Sequence, residues 1–223
     1  MKIEKSTLVV IGLLLMSVLV SGMVFASLAE DLVNRESLST FDPVFGGWLI
    51  NHTSISGDRI FSVITFLGNA LIISISTSLI GFWLVNHKKW NYLILLFSSV
   101  AGSAMFNLIL KNTFRRIRPV FPGASSIETG FSFPSGHAMI SIAFYGVVTY
   151  ILLTYLKNRN FKVILTAGAL IICGLIGFSR LYLGVHYLTD VLAGWAAGGL
   201  WLAICILGDL WYRYSKTKIT TSR

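Results

Sequence analysis

Ser179-Arg180-Leu181-Tyr182-Leu183-Gly184-Val185-His186-Tyr187-Leu188-Thr189-Asp190 sets three strongly polar side chains between two apolar runs. Ionisable groups are costly in an apolar span, so a cluster of them marks a functional site by default. His186 and Asp190 are four residues apart and would share one face of a helix. A carboxylate on one imidazole nitrogen fixes the tautomer and leaves the other nitrogen free to attack or to accept a proton. Arg180 stands upstream, with Gly184 between to let the chain turn. Its planar fork suits a pair of phosphate oxygens. A polar helix end at a membrane surface could carry the same residues by chance, so the decision falls to the rest of the chain.

Outward from this stretch the chain is greasy. Of its 223 residues, 55% are hydrophobic and 12% charged, far from an average soluble domain. Six apolar runs, 7–28, 60–85, 90–110, 138–156, 161–178 and 185–207, come close to or exceed the roughly 20 residues that cross a bilayer. The expected fold is an all-α integral membrane protein with six transmembrane helices, a single membrane domain over residues 1–223. The first run resembles a secretory signal, with small residues at Ala26-Ser27-Leu28-Ala29 for cleavage, but it is longer than a signal core and is expected to stay as a helix. Residues 30–59 read as a polar loop with a short amphipathic piece around 45–50. Cys173 and Cys205 lie inside apolar runs and read as packed thiols, with no disulfide or metal spacing. His52 and His87 read as surface histidines.

Six spans put both termini on one side. With them fall Lys2, Lys5, Lys88, Lys89, Lys157, Arg159, Lys162, Arg213, Lys216, Lys218 and Arg223. Opposite fall Arg35, Arg59, Lys111, Arg115, Arg116, Arg118 and Arg180. The excess of Lys and Arg places both termini in the cytoplasm. The formal charge of +9 is then a topology signal, which removes nucleic acid as a partner. Five of the external cations gather in two short pieces on the disfavoured side. An anionic ligand is the simplest reason.

Three external segments hold the chemistry. Lys111-Asn112-Thr113-Phe114-Arg115-Arg116-Ile117-Arg118-Pro119 ends the third span and supplies fixed positive charge. Pro134-Ser135-Gly136-His137 opens the fourth, placing a hydroxyl, a glycine N–H and an imidazole at a helix N-terminus, where unpaired N–H groups and the dipole favour an anion. Alone, Ser135 could be an ordinary helix cap. The stretch 179–190 is the third segment.

In order and spacing, these segments resemble the three-part signature of the type 2 phosphatidic acid phosphatase superfamily: K-x6-R-P, P-S-G-H and S-R-x5-H-x3-D. The resemblance is firm over about residues 110–192. Glu128-Thr129-Gly130-Phe131-Ser132-Phe133 before the second segment resembles the bacterial phosphatidylglycerophosphatase B and undecaprenyl-diphosphatase branch. The resemblance implies that His186 attacks phosphorus, Asp190 orients it, and His137 protonates the leaving oxygen and then helps activate water. It implies that Lys111, Arg118, Ser135, Gly136 and Arg180 hold the phosphoryl oxygens. These cations can do what metal ions do elsewhere, and the segments hold no carboxylate cluster for Mg²⁺. A metal-independent enzyme without cofactor is expected.

The substrate implied is a lipid monophosphate or diphosphate: phosphatidylglycerophosphate, phosphatidic acid or undecaprenyl diphosphate. It would be met in a bacterial-type cytoplasmic membrane with the site on the outer face. A phosphotransferase using the same phosphohistidine is the enzyme alternative. A lipid-phosphate carrier would need the cations but not His186, His137 and Asp190 together. Glucose 6-phosphatase-like and vanadium haloperoxidase proteins share the motif, but the first are longer and the second usually soluble. Arg115 and Arg116 fall outside the signature and are expected to anchor at the headgroup layer rather than meet a second phosphate.

Overall fold

A computed structural model describes the backbone of residues 5–221 apart from 125 and 127, and the side chains of these except 5–7, 39 and 217–221. Lys2 and Arg223 of the charge count lie outside the described residues, as do the side chains of Lys5 and Lys218. The described chain is all-helical: α1 (Lys5–Asn34), α2 (Ser37–Ile50), α3 (Ile55–Phe66), α4 (Ala70–Asn86), α5 (Trp90–Phe114), α6 (Gly136–Tyr155), α7 (Arg159–Tyr182) and α8 (Leu188–Thr221). Six stretches among these residues are long and apolar enough to cross a membrane: 8–34, 55–86, 90–114, 136–155, 159–182 and 188–216.

Three local differences from the sequence reading have physical causes. The second span is two helices. Asn69 accepts the Leu71 N–H at 2.8 Å and caps a fresh start at α4, breaking the run after Phe66. Residues 37–50 form a full helix rather than a loop with a short amphipathic piece. Pro43 sits inside it, and Asp42 is completely buried. The last helix starts at Leu188, not 185, so His186 lies in the turn before it.

α8 is the central post, packed along α1 and α6, while α6 also meets α5 and α7. Apolar burial drives helix association weakly in lipid, so close approach at small residues matters more. Gly194 and Gly198 supply it. A Cβ at Gly194 would stand 2.7 Å from the Ser135 carbonyl oxygen, and one at Gly198 2.6 Å from that of Met139. This contact brings the start of α8 against the start of α6, and the Ser135 N–H donates to the Asp190 carbonyl at 2.9 Å. On the far side Ile73, Leu84, Leu95, Leu96, Phe144 and Val147 pack α4, α5 and α6 together.

Candidate active site

α7 ends in a tight reversal. Gly184 has φ +74, a conformation a side chain would strain. The N–H groups of Gly184 and Val185 return to the carbonyls of Leu181 and Arg180 at 3.0 and 3.2 Å. The turn carries His186 back beside Arg180. Asp190, in the first turn of α8, reaches back to the Tyr187 N–H at 2.9 Å, the return half of a capping box. The same oxygen, Oδ2, faces His186 Nδ1 at 3.3 Å. The expected His186–Asp190 pair is therefore present, but through a helix cap rather than across one turn of a helix.

The partners decide the tautomer. A carboxylate can only accept, so Nδ1 carries the proton. Arg118 Nη1 stands 3.1 Å from Nε2 and can only donate. Nε2 thus carries the lone pair, which accepts from Arg118 here and is released when Arg118 turns to another anion. His186 is 3% exposed. Burial lowers its pKa to about 4 against the opposing hydrogen bond and charge of Asp190. A pKa this low leaves the ring neutral at neutral pH.

Arg118 and Arg180 converge from different segments on one carboxylate that the sequence reading did not single out. Glu128 Oε2 lies 3.1 Å from Arg118 Nη1, and Oε1 pairs with Arg180 Nη2. Burial acts to raise the Glu128 pKa, but the charge and hydrogen bond of Arg180, and then Arg118, hold it below the usual carboxylate value. Arg180 Nη1 also donates to Thr65 Oγ1 of α3 at 2.7 Å, and Arg118 to the Val185 carbonyl at 2.9 Å. Two polar atoms in this cluster are buried and unpartnered: Ser135 Oγ and Arg180 Nε. Ser135 stands at the N-cap of α6 yet its side chain caps nothing. Its hydroxyl has no partner among the described residues, so the ordinary helix-cap alternative is not what the structure shows.

The other signature residues gather at the same place. Lys111 reaches the carbonyls of Phe131 and Ser132, the second at 3.4 Å, and ties the loop to α5. Asn107, also on α5, donates to the Pro134 carbonyl at 3.2 Å and pins the segment before α6. Gly136 begins α6. A Cβ there would stand 3.1 Å from Asn107 Oδ1, so glycine allows the close seat on α5. His137, half-buried in the first turn, feels the charges of Arg180, Glu128, His186 and Arg118.

A profile of the PAP2 superfamily matches residues 92–214, which include all of these groups. The chain belongs to the PAP2 superfamily. It is 36% identical over 146 residues to phosphatidylglycerophosphatase B of Bacillus subtilis (strain 168), covering 63% of this chain and 70% of that protein. Over 75 residues it is 43% identical to an undecaprenyl-diphosphatase of Sulfolobus acidocaldarius, 34% of this chain and 32% of the relative. The crystal structure of the transmembrane PAP2-type phosphatidylglycerolphosphate phosphatase of Bacillus subtilis matches with a TM-score of 0.78 at 28% identity. It covers 86% of this chain and 94% of that one. The named relatives are phosphatases of lipids, and the family's three segments are the ones this chain folds together.

Arg116 departs from expectation. It is not a headgroup anchor: its side chain is 10% exposed and bonded to two fully buried carboxylates, Asp42 at 2.7 Å and Asp190 at 2.7 Å. Neither of these is a phosphate, and the inward direction follows from the need to neutralise buried acids. Arg115 is exposed and in the left-handed region at the end of α5, φ 48. The signal that could have exposed Asp42 was its setting: a lone acid within Phe41-Asp42-Pro43-Val44-Phe45.

Proposed function

We propose that this protein removes a phosphate from a lipid monophosphate or diphosphate through a phosphohistidine on His186, at the outer face of a bacterial-type cytoplasmic membrane. The chain is a lipid phosphatase of the PAP2 superfamily, a hydrolase of phosphoric ester or diphosphate bonds. The whole of residues 1–223 is taken as one phosphatase domain. Its substrates by this reading are phosphatidylglycerophosphate, phosphatidic acid or undecaprenyl diphosphate, with the tail held in the bilayer. The observation that supports it most is the anion seat. Arg118 and Arg180 already hold a carboxylate, with the unpartnered Ser135 Oγ and Arg180 Nε alongside, and Arg118 also reaches the His186 Nε2 lone pair.

A phosphoryl group displaces the Glu128 carboxylate from the two arginines. The Nε2 lone pair forms a bond to phosphorus as the bond to the leaving oxygen breaks. His137 gives that oxygen a proton. Water then attacks phosphorus, gives its proton to His137 and releases phosphate from Nε2. Asp190 stabilises the ring while it carries positive charge. Lys111, Arg118 and Arg180, with Ser135 and the N–H of Gly136, stabilise the equatorial oxygens, the largest single contribution expected in such sites. The cations perform the charge neutralisation, so no metal is required.

The test is a panel of the three lipid phosphates in detergent, read as free phosphate with excess EDTA present. Release is expected at the rate seen without chelator. Complete loss on chelation, restored by Mg²⁺, contradicts the metal-free reading. Product appearing as a phosphorylated acceptor instead of free phosphate would make it a transferase.

Sidedness has its own test. The termini are assigned to the cytoplasm and the loop 115–135 to the outside. Val120, 91% exposed in that loop, takes a cysteine without loss of packing. On the other side Asn158 caps α7 by accepting the Asn160 N–H at 2.8 Å, so its exposed neighbour Lys157 is the better site. Val120→Cys is expected to react with an impermeant thiol reagent in intact cells, and Lys157→Cys only after permeabilisation. The reverse pattern would put the site on the cytoplasmic leaflet.

A further inference from the structure

The Asp190 carboxylate divides its two oxygens. Oδ2 takes His186 Nδ1 and the Tyr187 N–H. Oδ1 takes Arg116 Nη1 at 2.7 Å. The same Nη1 reaches Thr189 Oγ1 at 2.7 Å, while Nη2 reaches Asp42 Oδ2 at 2.7 Å. Asp42 comes from α2, far away in sequence, and closes the ring: it accepts the Thr189 N–H at 3.1 Å and the Thr189 hydroxyl. The Arg116 guanidinium lies 4.2 Å above the Tyr187 ring. Every hydrogen-bonding direction of its planar fork used here serves Asp190 or what surrounds it.

We propose that Arg116, clamped by Asp42, is a positioning residue for the reaction: it fixes the plane of the Asp190 carboxylate and so the tautomer and aim of His186. This rests on the phosphohistidine reading and extends it to two residues that never meet substrate. The charge count gives the reason for two acids on one cation. Asp42, Arg116 and Asp190 together carry one net negative charge beside a neutral ring. When Nε2 takes the phosphoryl group, the ring with its Nδ1–H becomes cationic and the cluster is balanced. Without Arg116 the two carboxylates face each other across the same buried space with no cation between them, and Asp190 loses the bond that fixes its plane. A rotated Asp190 no longer holds Nδ1–H, and a lost tautomer lowers turnover by up to roughly 10⁴-fold in comparable arrangements.

Arg116 is two residues from Arg118, so a loop that merely sags would also weaken phosphate binding. Inorganic phosphate as a competitive inhibitor separates the two. Arg116→Gln is expected to lower kcat on the order of 100-fold while KM and the phosphate Ki stay within about threefold, because the anion seat is untouched and only its nucleophile is misaimed. Arg116→Lys is expected to recover only part of the loss, since an ammonium cannot bridge two carboxylates in a plane. Asp42→Asn keeps the shape and one acceptor. It is expected to show the same kcat-only loss on the order of tenfold, and it carries the test if Arg116→Gln does not fold. A kcat within threefold of wild type in both variants overturns the proposal. So does a phosphate Ki that rises as kcat falls, or full rescue by lysine. His186→Ala is assayed alongside. If it stays active, the phosphohistidine reading fails. If it is dead while Arg116→Gln and Asp42→Asn turn over normally, only the clamp fails.

Discussion

His186→Ala is expected to lower turnover on the order of 10⁴-fold or more, since a nucleophile and the groups that aim it act as a unit. The protein should remain folded. Asp190 keeps the Tyr187 N–H and Arg116, and Arg118 keeps the Val185 carbonyl and Glu128. No buried charge is orphaned, so the usual source of a severe stability loss is missing. What is lost is the imidazole nitrogen that Asp190 and Arg118 hold at the anion seat. Phosphate release from a lipid phosphate in detergent checks it, with gel filtration to show an intact protein. A variant that keeps more than about a hundredth of wild-type kcat would remove His186 from the chemistry.

The second large effect belongs to His137, and its size should depend on the leaving group. With a lipid alkoxide leaving, loss of the proton donor is expected to cost roughly 10²–10⁴-fold. With p-nitrophenyl phosphate the leaving oxygen needs no proton, so the first step should survive in His137→Ala. Water activation would still fail. The expected result is a burst of nitrophenol stoichiometric with enzyme, followed by a near-stall as phosphoenzyme accumulates. Equal slowing of both substrates without a burst would mean that His137 is not the proton carrier at either step.

Much of this site was legible because its residues are expensive where they stand. Arg118, Arg180, His186 and Asp190 are ionisable groups among apolar spans, and their spacing is set by a rigid local device, the Gly184 turn and the capped start of α8. Local chemistry of this kind is written in adjacent residues. The PAP2 assignment and the six apolar runs followed from the same reading. What stayed hidden depends on contacts between distant segments. Asp42 meets Thr189 across 147 positions, and nothing beside it in the chain announces Arg116 as its partner. Arg116 looked like one more cation in a basic run, and only burial separates it from exposed Arg115. Glu128 was read for family likeness, not as the acid that sits between the two arginines. The break in the second span turned on a single cap at Asn69, a small energy that a long apolar run conceals.

The covalent intermediate is the point at which this reading is most exposed. Wild type and His137→Ala are mixed with a ³²P-labelled lipid phosphate, quenched in cold alkali, and digested for mapping. Label is expected at up to one per chain, stable to alkali and labile to acid as a phosphorus–nitrogen bond should be. It should lie on the peptide that carries His186, more abundant in His137→Ala and absent from His186→Ala. Alkali-labile label on Ser135, or label that persists in His186→Ala, would contradict it.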